Sequence, residues 1–270
     1  MQTGSPDGTG HGAGWGWTGK LGRAALPLRR VLARAGTWLL PGECALCGGI
    51  AGGAVVCAAC HHHYIEGWLA RCLRCRQCAN PLPPGATGLC GYCLRTMPAF
   101  DATVAAAAYA LPLDRLVLQL KFGGRLALAR LFGDALAGAA LDAPGFIQPD
   151  VLCPVPLGPR RLVERGYNQA LEMARPLARR LAIPLQAQLV IRVKETAALS
   201  RTATPAERRA YIKGAFAAPQ RAWIDGRHIG LVDDVMTSGA TMNELAALLK
   251  RYGATRVTCL VFARTPPHDE

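Results

Sequence analysis

Nine of the eleven cysteines fall between Cys44 and Cys93, and eight of those nine form four C-x-x-C pairs. The stretch has little periodic hydrophobicity, so something other than an apolar core must hold it together. Cys44 and Cys47, then nine residues, then Cys57 and Cys60 make one four-thiolate set. Cys75 and Cys78, then eleven residues, then Cys90 and Cys93 make a second, offset from the first by 31 to 33 residues, as if one small ribbon unit were used twice. Four thiolates at knuckle spacing suit a tetrahedral zinc ion, whose filled d shell imposes no competing geometry and whose charge keeps the thiols deprotonated. Zinc is preferred over disulfides, which need an oxidising compartment that nothing in the sequence indicates, and over an iron-sulfur cluster. Two ambiguities stay open in the ligand sets. Cys72 is also spaced C-x-x-C with Cys75, and His61, His62 or His63 offers an imidazole in place of a thiolate. Cys78 runs into Ala79, Asn80 and Pro81, a turn suited to a knuckle, which favours Cys75 with Cys78. Four protein ligands close such a site, so the metal is expected to be structural.

After Phe100 the pattern changes to alternating strands and helices. Strand character over 101–111 is followed by leucines at helical spacing over 113–121 and 126–141. Further strands are expected at 150–155, 189–193, 228–232 and 255–262, with helices at 168–181 and 240–252, the last closed by Gly253. Pro176 should kink the first of these two helices, and 194–213 has the composition of a charged loop. This order implies an α/β fold with a doubly wound parallel sheet. Cys153 and Cys259 lie in core strands and are expected to be small buried hydrophobes.

The run from Ile229 to Thr241 carries the chemistry. A buried apolar strand ends in Asp233 and Asp234 and leads through Val235 and Met236 to Thr237, Ser238, Gly239, Ala240 and Thr241, which open a helix. Adjacent carboxylates at a strand end repel each other and are costly to bury, unless donor hydroxyls or a divalent cation complete the site. The turn after them presents amides and hydroxyls at the positive end of a helix, which suits a phosphate monoester. A ribose 5-phosphate meets both demands. An acidic helix cap is the alternative for a bare Asp-Asp pair, but the complete strand, turn and helix favours the phosphate.

This run resembles the thirteen-residue loop for phosphoribosyl diphosphate (PRPP) in type I phosphoribosyltransferases. The resemblance implies that Asp233 and Asp234 contact the ribose hydroxyls and that Thr237 to Thr241 cradle the 5-phosphate, with Mg²⁺ accompanying PRPP. A second stretch, Pro154-Val155-Pro156-Leu157 followed by Arg160, Arg161, Arg165, Gly166, Tyr167, Asn168 and Gln169, is similar to a segment of the ComF competence family. That family carries cysteine ribbons ahead of the segment, as here. Leu120, Lys121, Phe122, Gly123 and Gly124 extend the match, which implies that Lys121 belongs to the substrate site. On charge alone, Arg160, Arg161 and Arg165 form a cationic rim where a diphosphate can leave. The chain departs from the family pattern between Lys194 and Phe216, where Ser200 and Tyr211 stand near an expected Gln and Asn, while Arg208, Gly214, Ala215 and Phe216 are kept. That segment is similar to the loop that covers the site in related transferases.

The resulting organisation is a disordered, basic tail over 1–40, a double zinc ribbon over 41–96 and a phosphoribosyltransferase-like domain over 97–266. Gly14, Gly16 and Gly19 fit G-x-G-x-x-G by accident, since no strand precedes them. With 51% apolar residues the chain can bury a core, and its net charge of +13 favours phosphates, nucleic acid or acidic lipid. No run of eighteen apolar residues is present, which argues against stable membrane insertion and leaves the cytoplasm as the expected compartment. The leading expectation is an enzyme that moves a phosphoribosyl group between PRPP and a nitrogen nucleophile. The ComF resemblance implies a role in DNA uptake and natural transformation, and the rival expectation is a non-catalytic competence factor whose partners are single-stranded DNA or a helicase.

Overall fold

The computed structural model describes residues 42–67, 73–86, 88–195 and 205–265. The expectations for the tail over 1–40, for Cys72 and for Ser200 lie outside them. Its centre is a four-stranded, wholly parallel sheet in the order β1 (Ala102–Ala108), β6 (Arg256–Arg264), β5 (His228–Met236), β2 (Val151–Pro154). Period-two alternation divides the side chains between two apolar layers. Val104, Leu152, Val232, Leu260 and Phe262 enter one layer, and Ala105, Cys153, Leu231, Cys259 and Val261 the other. Helices cover both faces, so the sheet is doubly wound as expected.

The helices differ in what they cover. The chain turns briefly through α1 (Ala58–His61) and α2 (Gly91–Thr96) in the cysteine-rich region. On the first face lie α3 (Leu113–Phe122), α4 (Ala127–Asp142) and, after the short α5 (Pro159–Arg165), α6 (Gln169–Leu181). Phe132 of α4 stacks on Phe262 of β6 with centroids 3.7 Å apart and planes within 10°. Pro176 sits inside α6 without ending it. Its ring faces Gly133 of α4, where a Cβ would lie 2.5 Å from the proline Cγ. The glycine therefore lets the two helices approach closely at this position.

Two expectations need correction. The 194–213 segment is not wholly loop, because Pro205–Ile212 forms α7. Pro205 and Glu207 in its first turn are ordinary helix-start residues that the charged composition obscured. The short strand near 189–193 is a two-residue piece, β3 (Ile191–Arg192), paired antiparallel with β4 (Phe216–Ala217) outside the main sheet. The second face is closed by α8 (Ala240–Arg251), which buries Met242, Leu245, Ala246, Leu248 and Leu249.

The two cysteine sets repeat one local structure. Antiparallel bridges join Glu43 to Ile50 and Arg74 to Pro81, and the amides of Cys44 and Cys75 donate to the carbonyls of Gly49 and Asn80 at 2.7 and 2.8 Å. Gly48 and Ala79 occupy the same left-handed position, at φ +74° and +59°. Each unit then enters a short helix just after a cysteine, Cys57 for α1 and Cys90 for α2. The units dock on opposite layers: Cys44, Val56, Cys60 and Ile65 join the first, and Cys75, Cys78, Leu82 and Cys93 the second. The second unit also covers the open edge of β1, since the Thr103 amide donates to Arg76 O and its hydroxyl to Gln77 O.

Candidate functional site

Strand β5 runs farther than its apolar stretch indicates, through Asp233 and Asp234 to Met236. Asp234 is buried, at 2% exposure, and Asp233 is half-buried. Lys121, from the last turn of α3, places Nζ 2.7 Å from Asp234 Oδ2. Burial by itself would lower the lysine pKa, but attraction to Asp234 and Asp233 outweighs it and the net direction is up, so the ammonium stays charged. Among the described residues Lys121 is the one cation in ion-pair contact with the two carboxyls, through Asp234. Asp233 carries the excess: burial first, then repulsion from Asp234, pushes its pKa well above the usual carboxylate range. Its Oδ1 accepts the Asp234 amide at 2.9 Å.

The stretch from Arg165 to Gln169 supports this pair, one residue at a time. Gly166 ends α5 in the left-handed region, at φ +79°. The Tyr167 hydroxyl donates to the carbonyl of Leu120, next to Lys121. Asn168 caps α6 by accepting the Ala170 amide at 3.0 Å, while its Nδ2 donates to Val155 O at 3.0 Å. Gln169, buried, donates from Nε2 to Asp234 Oδ1 across a long 3.5 Å contact and accepts from Arg165 through Oε1. The Arg165 guanidinium also lies 5.2 Å from the centroid of Phe122. Its pKa is lowered by burial, against the pull of Asp234.

The three arginines expected to form a rim are placed differently. Arg165 reaches the acidic pair through Gln169. Arg161 is half-buried and lies close enough to Arg165 and Arg192 to lower the pKa of each by repulsion. Arg160 is exposed, bonded through Nε to Glu164 at 2.8 Å, with its amide on Glu195 at 2.8 Å.

Thr237 and Ser238 form the turn after β5, and Gly239 starts α8 at φ +77°. A Cβ on Gly239 would strike Met236 Cε at 2.7 Å as well as strain the backbone. Among the described residues no carbonyl accepts the amides of Ser238 and Gly239, and the Ala240 amide makes a 3.4 Å contact to Ser238 Oγ. Ala240 and Thr241 stand half-exposed in the first helical turn. The loop therefore offers open N–H groups at a helix start, a few residues from the acidic pair.

The cysteine sets each bring four sulfurs within 4.8 Å of one another: Cys44, Cys47, Cys57 and Cys60, then Cys75, Cys78, Cys90 and Cys93. Sulfurs at Zn–S distances of about 2.3 Å in a tetrahedron stand roughly 3.8 Å apart. Cys47 to Cys57 is 3.8 Å and Cys78 to Cys90 is 3.5 Å, so both sets fit that ion. Burial raises the Cys44 thiol, but amides of Cys57, Cys47 and Leu46 outweigh it and bring the pKa to about 6. Cys60 is pushed up to about 12 by burial and by its sulfur neighbours. The second set splits the same way, with Cys75 brought down to about 7 and Cys78 pushed up to about 12. A divalent cation is what would let all four ionise together. His61 and His62 bond Glu66 at 3.1 and 2.9 Å, outside the sulfur cluster.

Relatives match most of the chain. The DNA utilization protein YhgH of Salmonella typhi is 35% identical over 235 residues, covering 84% of this chain and 98% of that protein. Competence protein F of Haemophilus influenzae is 35% identical over 194 residues, covering 70% and 84%. The chain belongs to the ComF family. A phosphoribosyl transferase domain model matches residues 168–270, from the α6 cap of this ComF chain through the loop and β6. Glutamine PRPP amidotransferase from B. subtilis is a structural neighbour with a TM-score of 0.34 and 20% identity, over 49% of this chain and 25% of that one. The hypoxanthine phosphoribosyl transferase of Trypanosoma cruzi gives 0.32 and 16%, over 50% and 64%.

Cys153 and Cys259 of the ComF chain are fully buried, and burial raises both thiols, Cys153 to about 12. Among the described residues no helix is long and apolar enough to cross a membrane. Two residues at the site escaped the sequence reading. Gln169 stood in the second motif without a role, and Arg264 sat at the end of an apolar strand, a cue in itself, because a charge there needs a buried partner.

Proposed function

We propose that this ComF chain binds PRPP, or a related ribose 5-phosphate compound, together with Mg²⁺, and transfers the phosphoribosyl group to or from a nitrogen nucleophile in the course of DNA uptake. The observation that carries the reading is the under-compensated acidic pair at the end of β5, followed at once by a loop of open amides. Vicinal ribose hydroxyls donate to Asp233 and Asp234, and the 5-phosphate takes the amides of Ser238 to Thr241. Lys121 and Gln169 hold Asp234 in place, and Arg165 and Arg161 supply cationic charge beside it. Mg²⁺ bound with PRPP would offset charge on the departing diphosphate. Catalysis then rests on positioning and on carboxylates flanking a ribose that gains positive character. Zinc in the two closed four-cysteine sets acts structurally. The names of the relatives, DNA utilization protein and competence protein F, support the DNA role.

Isothermal titration of zinc-replete protein with PRPP and Mg²⁺ tests the site. Micromolar binding that disappears in Asp233→Ala plus Asp234→Ala is expected, and release of diphosphate on adding a nitrogen base establishes transfer. Folded wild-type protein that takes up no PRPP would falsify the reading.

A second reading is a single-stranded DNA or helicase-binding factor. It is favoured by the +13 net charge and by a groove between α4 and α6 that gathers Arg130, Arg175, Arg179 and Arg180, only partly offset by Asp134 and Glu172. Affinity for single strands that falls steeply with salt, with no diphosphate release, would select it.

A further inference from the structure

Arg264 ends β6 opposite Met236 and is 7% exposed. Its guanidinium is spread over backbone carbonyls of three segments. Nε donates to Cys78 O at 2.9 Å, in the second cysteine set. Nη1 donates to Met236 O at 3.0 Å and to Thr237 O, which begin the phosphate loop, and to Thr265 O at 2.8 Å. Among the described residues no carboxylate pairs with it. A buried guanidinium without a carboxylate is costly, and its Nε is tied to the backbone of Cys78, one of the four cysteines of the second set. Four thiolates around one divalent ion carry net negative charge, so a metal-filled second set supplies the counter-charge that Arg264 lacks.

The same three segments enclose a cavity of about 110 Å³ lined by Tyr92 and Thr96 of α2, by Ser238, Gly239 and Ala240 of the loop, and by Arg264. Besides the Arg264 bonds, the start of the loop is held by the Thr265 amide on Met236 O at 3.0 Å, and the Ala99 amide bonds Asn243 Oδ1 of α8 at 2.7 Å.

We propose that Arg264 is a positioning residue that makes the shape of the phosphate loop conditional on metal in the second cysteine set, and not in the first. The two sites are then linked: loss of metal from Cys75, Cys78, Cys90 and Cys93 loosens residues 236–241, and a ligand that fixes the loop tightens metal binding by the same factor as the metal tightens ligand binding. The ligand arm of this linkage rests on the ribose 5-phosphate reading above, whereas the metal arm does not.

The test uses full-length, zinc-loaded protein with and without the substitutions Arg264→Gln and Arg264→Lys. Zinc release to a chromogenic chelator is followed together with hydrogen exchange of peptides spanning 42–66, 73–86, 88–96 and 236–241. Arg264→Gln should release one zinc on the order of 10-fold faster, as expected when a group outside the ligand shell is removed. Exchange should rise over 73–86, 88–96 and 236–241 together while 42–66 stays as in wild type. Arg264→Lys, which keeps the charge but not the fork, should fall between. Unchanged release with unchanged loop exchange overturns the proposal, as does a rise in both ribbons alike, which marks general loosening. Ribose 5-phosphate with Mg²⁺ should slow the same release in wild type and not in Arg264→Gln. If calorimetry shows no binding while the metal arm holds, the ligand reading fails and the coupling stands.

Discussion

Replacing Asp233 by Asn should make the ligand-free protein more stable and, at the same time, unable to bind its ligand. The folded carboxyl is held well above its ordinary pKa by burial and by Asp234. Between the unfolded value of about 3.9 and the raised folded value, the folded state keeps a proton that the unfolded state has released. Stability therefore falls as pH rises through that window and stays low above it. Each unit of elevation costs about 1.4 kcal/mol, and in a chain of this size ~1 kcal/mol corresponds to about 2–4 °C in Tm. Asparagine keeps the oxygen that accepts the Asp234 amide at 2.9 Å and has no charge to bury. Thermal unfolding by circular dichroism at several pH values between 4 and 8, on zinc-replete protein, should show wild type and variant nearly equal at the acid end. The variant should lead by at least about 3 °C at the alkaline end. Mg²⁺ with ribose 5-phosphate should raise wild-type Tm near neutral pH and leave the variant unmoved. A variant no more stable than wild type at pH 8, or one whose advantage is the same at every pH, would refute the electrostatic account, since a packing effect has no reason to follow proton uptake.

Phe132→Ala removes one ring of the fully buried stack with Phe262. It should cost about 3–5 kcal/mol in denaturant unfolding, and a loss below about 1 kcal/mol would mean that α4 does not anchor the first layer as described. Asn168→Ala deletes both the α6 cap and the tie to Val155 O, at roughly 1–2 kcal/mol. Because Gln169 is the next residue, PRPP affinity should drop with stability, and unchanged affinity would separate the cap from the site.

The parts of the fold legible from sequence were those whose signal is local. Spacing, with the turn after Cys78 deciding against Cys72, pointed to the eight cysteines and their repeat, and the structure places the sulfurs of each set within 4.8 Å of one another. Short apolar runs located the strands, which are covered on both faces, and leucine spacing located the helices α3, α4, α6 and α8, because burial on one face of a helix imposes a period of 3.6. Helix α7 was missed for the complementary reason: its charged residues have no clear apolar face, and only Pro205 and Glu207 mark its start.

At the site, the sequence determined that Asp233, Asp234 and the Thr237–Thr241 turn share one strand-to-helix junction, since neighbours in sequence at such a junction remain neighbours in space. It also marked Arg160, Arg161 and Arg165 as a cationic group without distinguishing among them. Only the tertiary structure decided that Lys121, from a helix end 113 positions away, pairs with Asp234. Packing likewise carried Arg264 across 186 residues to the Cys78 carbonyl, whereas Arg165 on Gln169 and Arg160 on Glu164 are pairs only four residues apart. The long-range contacts form because a parallel sheet brings distant strand ends together at one edge, where buried charges must find partners. No spacing rule along the chain records which partner is within reach.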